Sequence, residues 1–169
     1  MELLLSAKDI SLRPIRMEDE EMLYTIYAST RESEMELVEG WSDGQKEQFL
    51  RQQFYSQHAY YIEYYTNAVF WVIEHNKEVI GRLYLRVTDE VRIVDITLLP
   101  AWRNSGIGGR ILEDILNAAT REGKKVSIHV ECNNRALQLY QRLGFKIVKE
   151  VSGGVYYFLE WAPTMLSHL

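Results

Sequence analysis

Three glycines, Gly106, Gly108 and Gly109, stand between Arg103 and Arg110 in the segment Leu99-Pro-Ala-Trp-Arg-Asn-Ser-Gly-Ile-Gly-Gly-Arg110. Pro100 stops a β-rich run, and Ile107, Ile111, Ile115 and Ala119 then recur at helical spacing. A strand therefore ends, and a helix begins, inside this segment. The first amides of a helix have no partner within it and carry partial positive charge. Glycine lets a ligand approach such a backbone with no Cβ in the way. The combination suits phosphate, and Arg103 and Arg110 add formal charge at its edges. The same residues also fit a plain strand-to-helix turn in which glycine serves geometry alone, and Gly-x-Gly by itself does not decide between the two. Two nucleotide motifs fail on spelling. A P-loop needs Lys and then Ser or Thr after its last glycine, but Gly108 is followed by Gly109 and Arg110. A dinucleotide fingerprint needs a third glycine where Ile111 stands.

Other reactive groups are sparse. Cys132 is the one cysteine, which excludes an intrachain disulfide and suggests a reducing, cytoplasmic setting. A lone cysteine is more often a small buried hydrophobe than a nucleophile. His58, His75 and His168 share no metal-ligand spacing, so no metal is expected. His129 alternates with Ile128 and Val130 and reads as a satisfied structural histidine. The 169 residues suit a single domain over 1–169, with 47% hydrophobic and 25% charged residues. A formal charge of −5 disfavours nucleic acid as a partner. The apolar run Leu3 to Leu5 is too brief for a signal peptide, and no stretch is long enough to span a membrane.

The elements that must position the glycine loop follow from periodicity. Ile10 to Ile15 alternates as a strand, with Pro14 suited to its edge or end. From Asp19, helical spacing links Met22, Leu23, Ile26 and Tyr27. Trp41 to Asp43 breaks the chain before a second helix carrying Leu50, Phe54, Tyr61 and Tyr65, capped by Ser42 or Asp43. Val69–Ile73 and Val79–Val87 form a hairpin about His75-Asn-Lys-Glu78, and Val91–Leu99 is the next strand. The loop's helix stops at Gly123. A strand at Val126–Val130 and a short helix ending at Gly144 follow. Strands near Phe145–Val151 and Val155–Trp161 are joined by Ser152-Gly-Gly154. The order β-α-α-β-β-β-α-β-α-β-β makes a mixed α/β fold, with helices packed on one sheet.

With these elements in place, the sequence resembles the GNAT N-acetyltransferase superfamily. Arg103-Asn-Ser-Gly106-Ile-Gly108 matches its Arg/Gln-x-x-Gly-x-Gly/Ala signature. The likeness continues through Ile128-His-Val130, Asn133-Asn-Arg-Ala136, Leu139-Tyr140 and Leu143-Gly-Phe145. Upstream, Leu12-Arg-Pro-Ile15 with Asp19 is similar to the family's first strand and helix entry. The resemblance implies that the Val91–Leu99 and Val126–Glu131 strands are a splayed central parallel pair. It also implies acetyl-CoA as co-substrate. Pantetheine would take backbone hydrogen bonds around Ile96, Thr97 and Leu98. The amides from Arg103 through Asn104, Ser105, Gly106, Ile107, Gly108 and Gly109 to Arg110 would meet the pyrophosphate.

The resemblance makes Tyr140 the acid that protonates the departing thiolate, and Asn133 or Asn134 a contact to the cofactor arm, the other being a helix cap. A glutamate common among relatives is replaced here by Arg92, which cannot accept a proton. Asp95 or Glu131 could serve as base through a water, or be surface carboxylates or partners for Arg92. The acceptor is an amine of a small molecule or a peptide. It would approach near Trp41, Phe49, Phe54, Tyr55, Tyr60, Tyr61, Tyr64, Tyr65, Tyr156 and Tyr157, which form either an aromatic pocket or ordinary helix-to-sheet packing. A homodimer through the late strands is compatible with the fold. The alternative to an enzyme is a catalytically silent acyl-CoA-binding regulatory module.

Overall fold

Alternating segments become seven strands, and periodic ones become helices, in a computed structural model that describes residues 1–164. The strands are β1 (Ile10–Pro14), β2 (Ala68–His75), β3 (Glu78–Val87), β4 (Val91–Leu98), β5 (Val126–Glu131), β6 (Lys146–Val151) and β7 (Tyr156–Trp161). The helices are α1 (Glu20–Ser29), α2 (Glu32–Glu36), α3 (Asp43–Tyr64), α4 (Ile107–Arg121) and α5 (Leu137–Arg142). The expected order is met except for α2, a helix the periodicity does not announce because it has no buried residue.

Local chemistry explains the boundaries. Ser42 caps α3 by accepting from the Gln45 amide, and the Gln45 side chain returns the bond to the Ser42 amide at 2.8 Å. This reciprocal box satisfies two orphan donors. The β2–β3 turn puts Asn76 and Lys77 at φ +48° and +69°, the left-handed pair of a type I′ hairpin. After α4, Gly123 (φ +64°) lets its own amide reach Thr120 and that of Lys124 reach Ala119. That is a Schellman stop, repeated after α5 at Gly144.

The sheet runs β1-β2-β3-β4-β5-β7-β6. Neighbours are antiparallel except β4 and β5, which run parallel on either side of the α4 connection. These two pair only through Val91–Val126, Arg92–Ser127 and Ile93–Ile128. Beyond, β4 stays with β3 as far as Leu98 while β5 stays with β7 as far as Glu131. The expected splayed pair is present.

A bulge lies just past the point of separation. Tyr84 faces Asp95 and Leu85 faces Ile93, so Val94 has no partner on β3. The extra residue changes which face each later side chain takes. Ile93, Ile96 and Leu98 therefore all join the core against α4, with Ile111, Leu112 and Ile115. Asp95 and Thr97 turn to the opposite face, where α1 and α3 pack through Leu23, Ile26, Tyr27, Leu50 and Phe54.

Candidate active site

At the carboxyl end of β4 the chain makes one 3-10 turn, Pro100–Trp102, and enters α4 through Asn104 (φ +57°) and Gly106 (φ +84°). The Arg110 amide bonds to the Gly106 carbonyl at 3.1 Å. The amides of Asn104, Ser105, Gly106, Ile107, Gly108 and Gly109 find no acceptor among the described residues. A run of unclaimed donors at a helix start is an anion cradle. Arg103, exposed, reaches back instead of over the cradle: its Nε donates to the Leu98 carbonyl at 2.9 Å and its Nη2 to Ser29 Oγ at 3.0 Å. It thus fastens the loop to the strand end and to α1. Arg110 is also exposed.

The glycines separate the two readings of this loop. Gly106 needs its positive φ. At Gly108 and Gly109 the backbone is helical, and a Cβ would meet only Leu98 Cδ1 or Leu139 Cδ1, each at 3.6 Å. That is ordinary contact, so packing within the protein does not require glycine at either position. By contrast a Cβ on Gly81, across from Leu98, would lie 2.3 Å from the Thr97 carbonyl oxygen. Gly81 is there to let β3 and β4 approach, a constraint its place within a regular strand pattern did not reveal.

The β5-facing edge of β4 is unpaired beyond Ile93, so backbone polar groups between Val94 and Leu98 border the split. Tyr140, 5% exposed, packs edge-on against Phe145 with ring centroids 5.5 Å apart. Burial, with a smaller push from the charge of Asp95, raises its phenol pKa, and no hydrogen bond from the described residues contributes. The hydroxyl keeps its proton. At the mouth of the split, the Asn134 side chain accepts from the Ala136 amide at 2.8 Å and so shapes the entry to α5. Asn133 is exposed.

The two candidate carboxylates have other partners than Arg92. Asp95 accepts from Arg82 Nε at 3.2 Å, Arg82 Nη2 at 2.9 Å, Tyr61 Oη at 3.2 Å and Thr97 Oγ1 at 2.8 Å. Four donors fill its lone pairs, which opposes a role as proton acceptor. Arg82 is 2% exposed and is also held by Gln57 Oε1 at 2.9 Å. Removing one member of such a pair strands a buried charge. Asp95→Ala should cost about 3–5 kcal/mol of folding stability. Arg82→Met with Asp95→Leu should recover most of it, as measured by urea unfolding. Glu131 pairs with Arg31 at 3.1 Å and borders a recess of about 400 Å³ with Cys132, Asn133 and Tyr156. Cys132 is a free thiol whose Sγ lies 2.7 Å from the Gly154 carbonyl oxygen.

His129 is exposed rather than satisfied within the core, and its Nδ1 meets Arg92. Burial of the ring, then the charges of Arg92 and Lys149, lower its pKa. Within the expected aromatic cluster Phe54 is core packing, whereas Trp41, Tyr55, Tyr60 and Tyr64 are exposed. Phe54 contacts Tyr24, Tyr27 and Tyr55, while Tyr60 stacks on Tyr64 at 4.4 Å. Tyr156 lines the recess. Among the described residues no three His, Cys, Asp or Glu side chains gather as metal ligands, and no helix is long and apolar enough to cross a membrane. His168 lies outside the described residues.

Comparison with known proteins supplies relatives. An acetyltransferase (GNAT) domain model matches residues 66–147, which hold β3, β4, the cradle, α4, β5 and α5. The probable N-acetyltransferase san of Drosophila melanogaster is 34% identical over 93 residues, covering 53% of this chain and 46% of that protein. N-alpha-acetyltransferase 50 of Danio rerio is 29% identical over 94 residues, covering 54% and 51%. The chain thus spans about half the length of the curated relatives it matches. Among solved structures, the PaiA N-acetyltransferase of Thermoplasma acidophilum in complex with coenzyme A superposes with a TM-score of 0.66 at 17% identity, over 90% of this chain and 98% of that one. Arabidopsis thaliana Naa50 with the bisubstrate analogue CoA-Ac-MVNAL gives 0.57 at 17%, over 91% and 99%. At such identities the superpositions establish the fold, and the domain model spans the segment that builds the cradle. On this shared ground residues 66–147 match the GNAT acetyltransferase domain, and the described chain has the fold of the solved N-acetyltransferases it superposes on.

Proposed function

We propose that the protein is an acetyl-CoA-dependent N-acetyltransferase whose acceptor is a primary amine of a small molecule or peptide. The observation that carries this is the cradle: unclaimed amides from Asn104 to Gly109, bared by two glycines that the protein's own packing does not need. Those amides fit the oxygens of a diphosphate, with Arg110 at the rim. Peptide as one acceptor class is supported by the Arabidopsis relative, whose bound analogue joins coenzyme A to MVNAL.

When bound, acetyl-CoA supplies an activated acetyl thioester, which an amine nitrogen attacks at the carbonyl carbon, forming the amide bond as the C–S bond breaks. The chain's part is mostly placement. The backbone of Ile96, Thr97 and Leu98 offers strand-like hydrogen bonds along the unpaired edge of β4, and Asn133 flanks the mouth. Tyr140 holds a proton on Oη and passes it to the departing sulfur. A phenol with raised pKa stays protonated at neutral pH, as a donor must. With Asp95 occupied by Arg82, Tyr61 and Thr97, the proton on the attacking nitrogen leaves to water, with Glu131 the other candidate carboxylate.

The test is thiol release from acetyl-CoA by the purified chain with a panel of amines and peptide N-termini. Amine-dependent release above hydrolysis is expected. A protein that coenzyme A stabilises against heat, yet releases no thiol with any amine, would instead be a silent binding module.

A further inference from the structure

Arg92 is 7% exposed and stands within the three-residue pairing of β4 and β5, one residue before they separate. Its Nη1 donates to Ser127 Oγ at 3.1 Å, and its Nη2 lies against His129 Nδ1. Both partners are neutral, and no carboxylate touches the guanidinium among the described residues. Lys149 approaches from β6, in register with Phe158, and the three groups surround that ring. Arg92 Cζ lies 5.4 Å, Lys149 Nζ 5.7 Å and the His129 ring 5.2 Å from its centroid.

No carboxylate of this face pairs directly with a cation of the cluster among the described residues, although Glu90 shares Ser127 with Arg92. Glu90 accepts from Ser127 Oγ at 3.1 Å, Glu160 holds Lys125 at 3.2 Å, Glu131 holds Arg31 at 3.1 Å, and Asp95 holds Arg82 at 2.9 Å. A chain of net charge −5 therefore gathers two cations and a histidine with no directly paired counter-ion among the described residues. A nearly buried guanidinium without a carboxylate is costly to keep, unless an anion arrives from outside.

Position says which molecule brings it. Arg92 and the cradle lie at opposite ends of β4, roughly 20 Å apart at about 3.3 Å per residue. The cluster is therefore out of reach of the phosphates the cradle would hold. It sits at the apex of the split, on the face away from the α4 core, where the acetyl group would end and the amine would enter. We propose that Arg92, His129 and Lys149 receive a carboxylate carried by the acceptor, so that the substrate is an amine bearing an acid group. This rests on the acyltransferase reading above. A flat carboxylate suits a guanidinium bounded by an aromatic ring.

The experiment compares amines that differ only in acid against amide: β-alanine with β-alaninamide, and the peptide amide Met-Asp-Ala with Met-Asn-Ala. The ratio of kcat/KM, acid over neutral, is measured for the parent and for Arg92→Met, which cancels differences in amine basicity. That ratio should fall about tenfold or more in Arg92→Met, in the range of one charge-assisted hydrogen bond. The responding pair distinguishes a free amino acid from an acidic peptide. Exposed Lys149→Gln should lower the same ratio less, and it reports even if Arg92→Met folds poorly. Unchanged ratios in both variants overturn the proposal. A parallel NMR titration of the His129 ring, with coenzyme A present, needs no turnover. The acid member should raise its midpoint in the parent and not in Arg92→Met. If no amine releases thiol, the acyltransferase reading fails, and this titration alone decides whether the anion site stands.

Discussion

Gly108→Glu is expected to fold like the parent and to bind coenzyme A at least about 100-fold more weakly, a loss near 2.7 kcal/mol. The fold should survive because a Cβ there meets nothing closer than Leu98 Cδ1 at 3.6 Å, and because the position is helical and partly exposed. Glutamate is also a better helix former than glycine, and an acid in the first turn complements the macrodipole. The new carboxylate, however, would accept from the very amides that a diphosphate would use, and would repel it. Titration calorimetry with coenzyme A, alongside a thermal melt without ligand, reads both halves. Parent-like affinity would mean that the amides from Asn104 to Gly109 do not hold the cofactor. A collapsed melt would mean that glycine is structural here after all.

Tyr140→Phe should lower kcat by about 10²–10³-fold, within the usual range for losing a general acid, while coenzyme A affinity changes less than about twofold. The ring's packing against Phe145 is retained, so stability should hardly move. The pH profile carries a second signature. Because burial and Asp95 raise this phenol above its ordinary value near ~10, the proton donor persists across neutral and mildly alkaline pH. The parent's kcat should therefore show no alkaline decline from this group below about pH 10. Single-turnover measurements with a good amine would establish both points. Equal chemical rates in mutant and parent would remove Tyr140 from proton transfer.

The cradle was legible because its signal is local. Glycine, proline and charge within a dozen positions fix a strand end, a helix start and a run of free amides between them. The Ser42 cap, the Asn76-Lys77 turn and the stop at Gly123 were legible for the same reason. What stayed hidden depends on contacts between distant segments. Asp95 read as a possible base or surface carboxylate, yet α3 covers it and Arg82 with Tyr61 and Gln57, and the two form a pair around a buried guanidinium. Asp95 looked available to Arg92 on its own strand, but Arg82 of β3, with Tyr61 and Thr97, takes its oxygens instead. The helix α2 escaped notice because Glu32, Ser33, Glu34, Met35 and Glu36 bury nothing fully and so show no period. Only the fold could show that Arg92 and Lys149, far apart along the chain, share the ring of Phe158.

The unpaired Val94 makes β4 a strand in two phases, with its aliphatic side chains rejoining the same core after a skipped beat. Inserting a single residue between Val94 and Ile96 would put the remainder out of step, carrying Ile96 and Leu98 toward α3 and turning polar neighbours into the apolar interior. Length changes should therefore be far less tolerated in this short stretch than in the turn from Ser152 to Gly154, where an inserted residue disturbs no alternation.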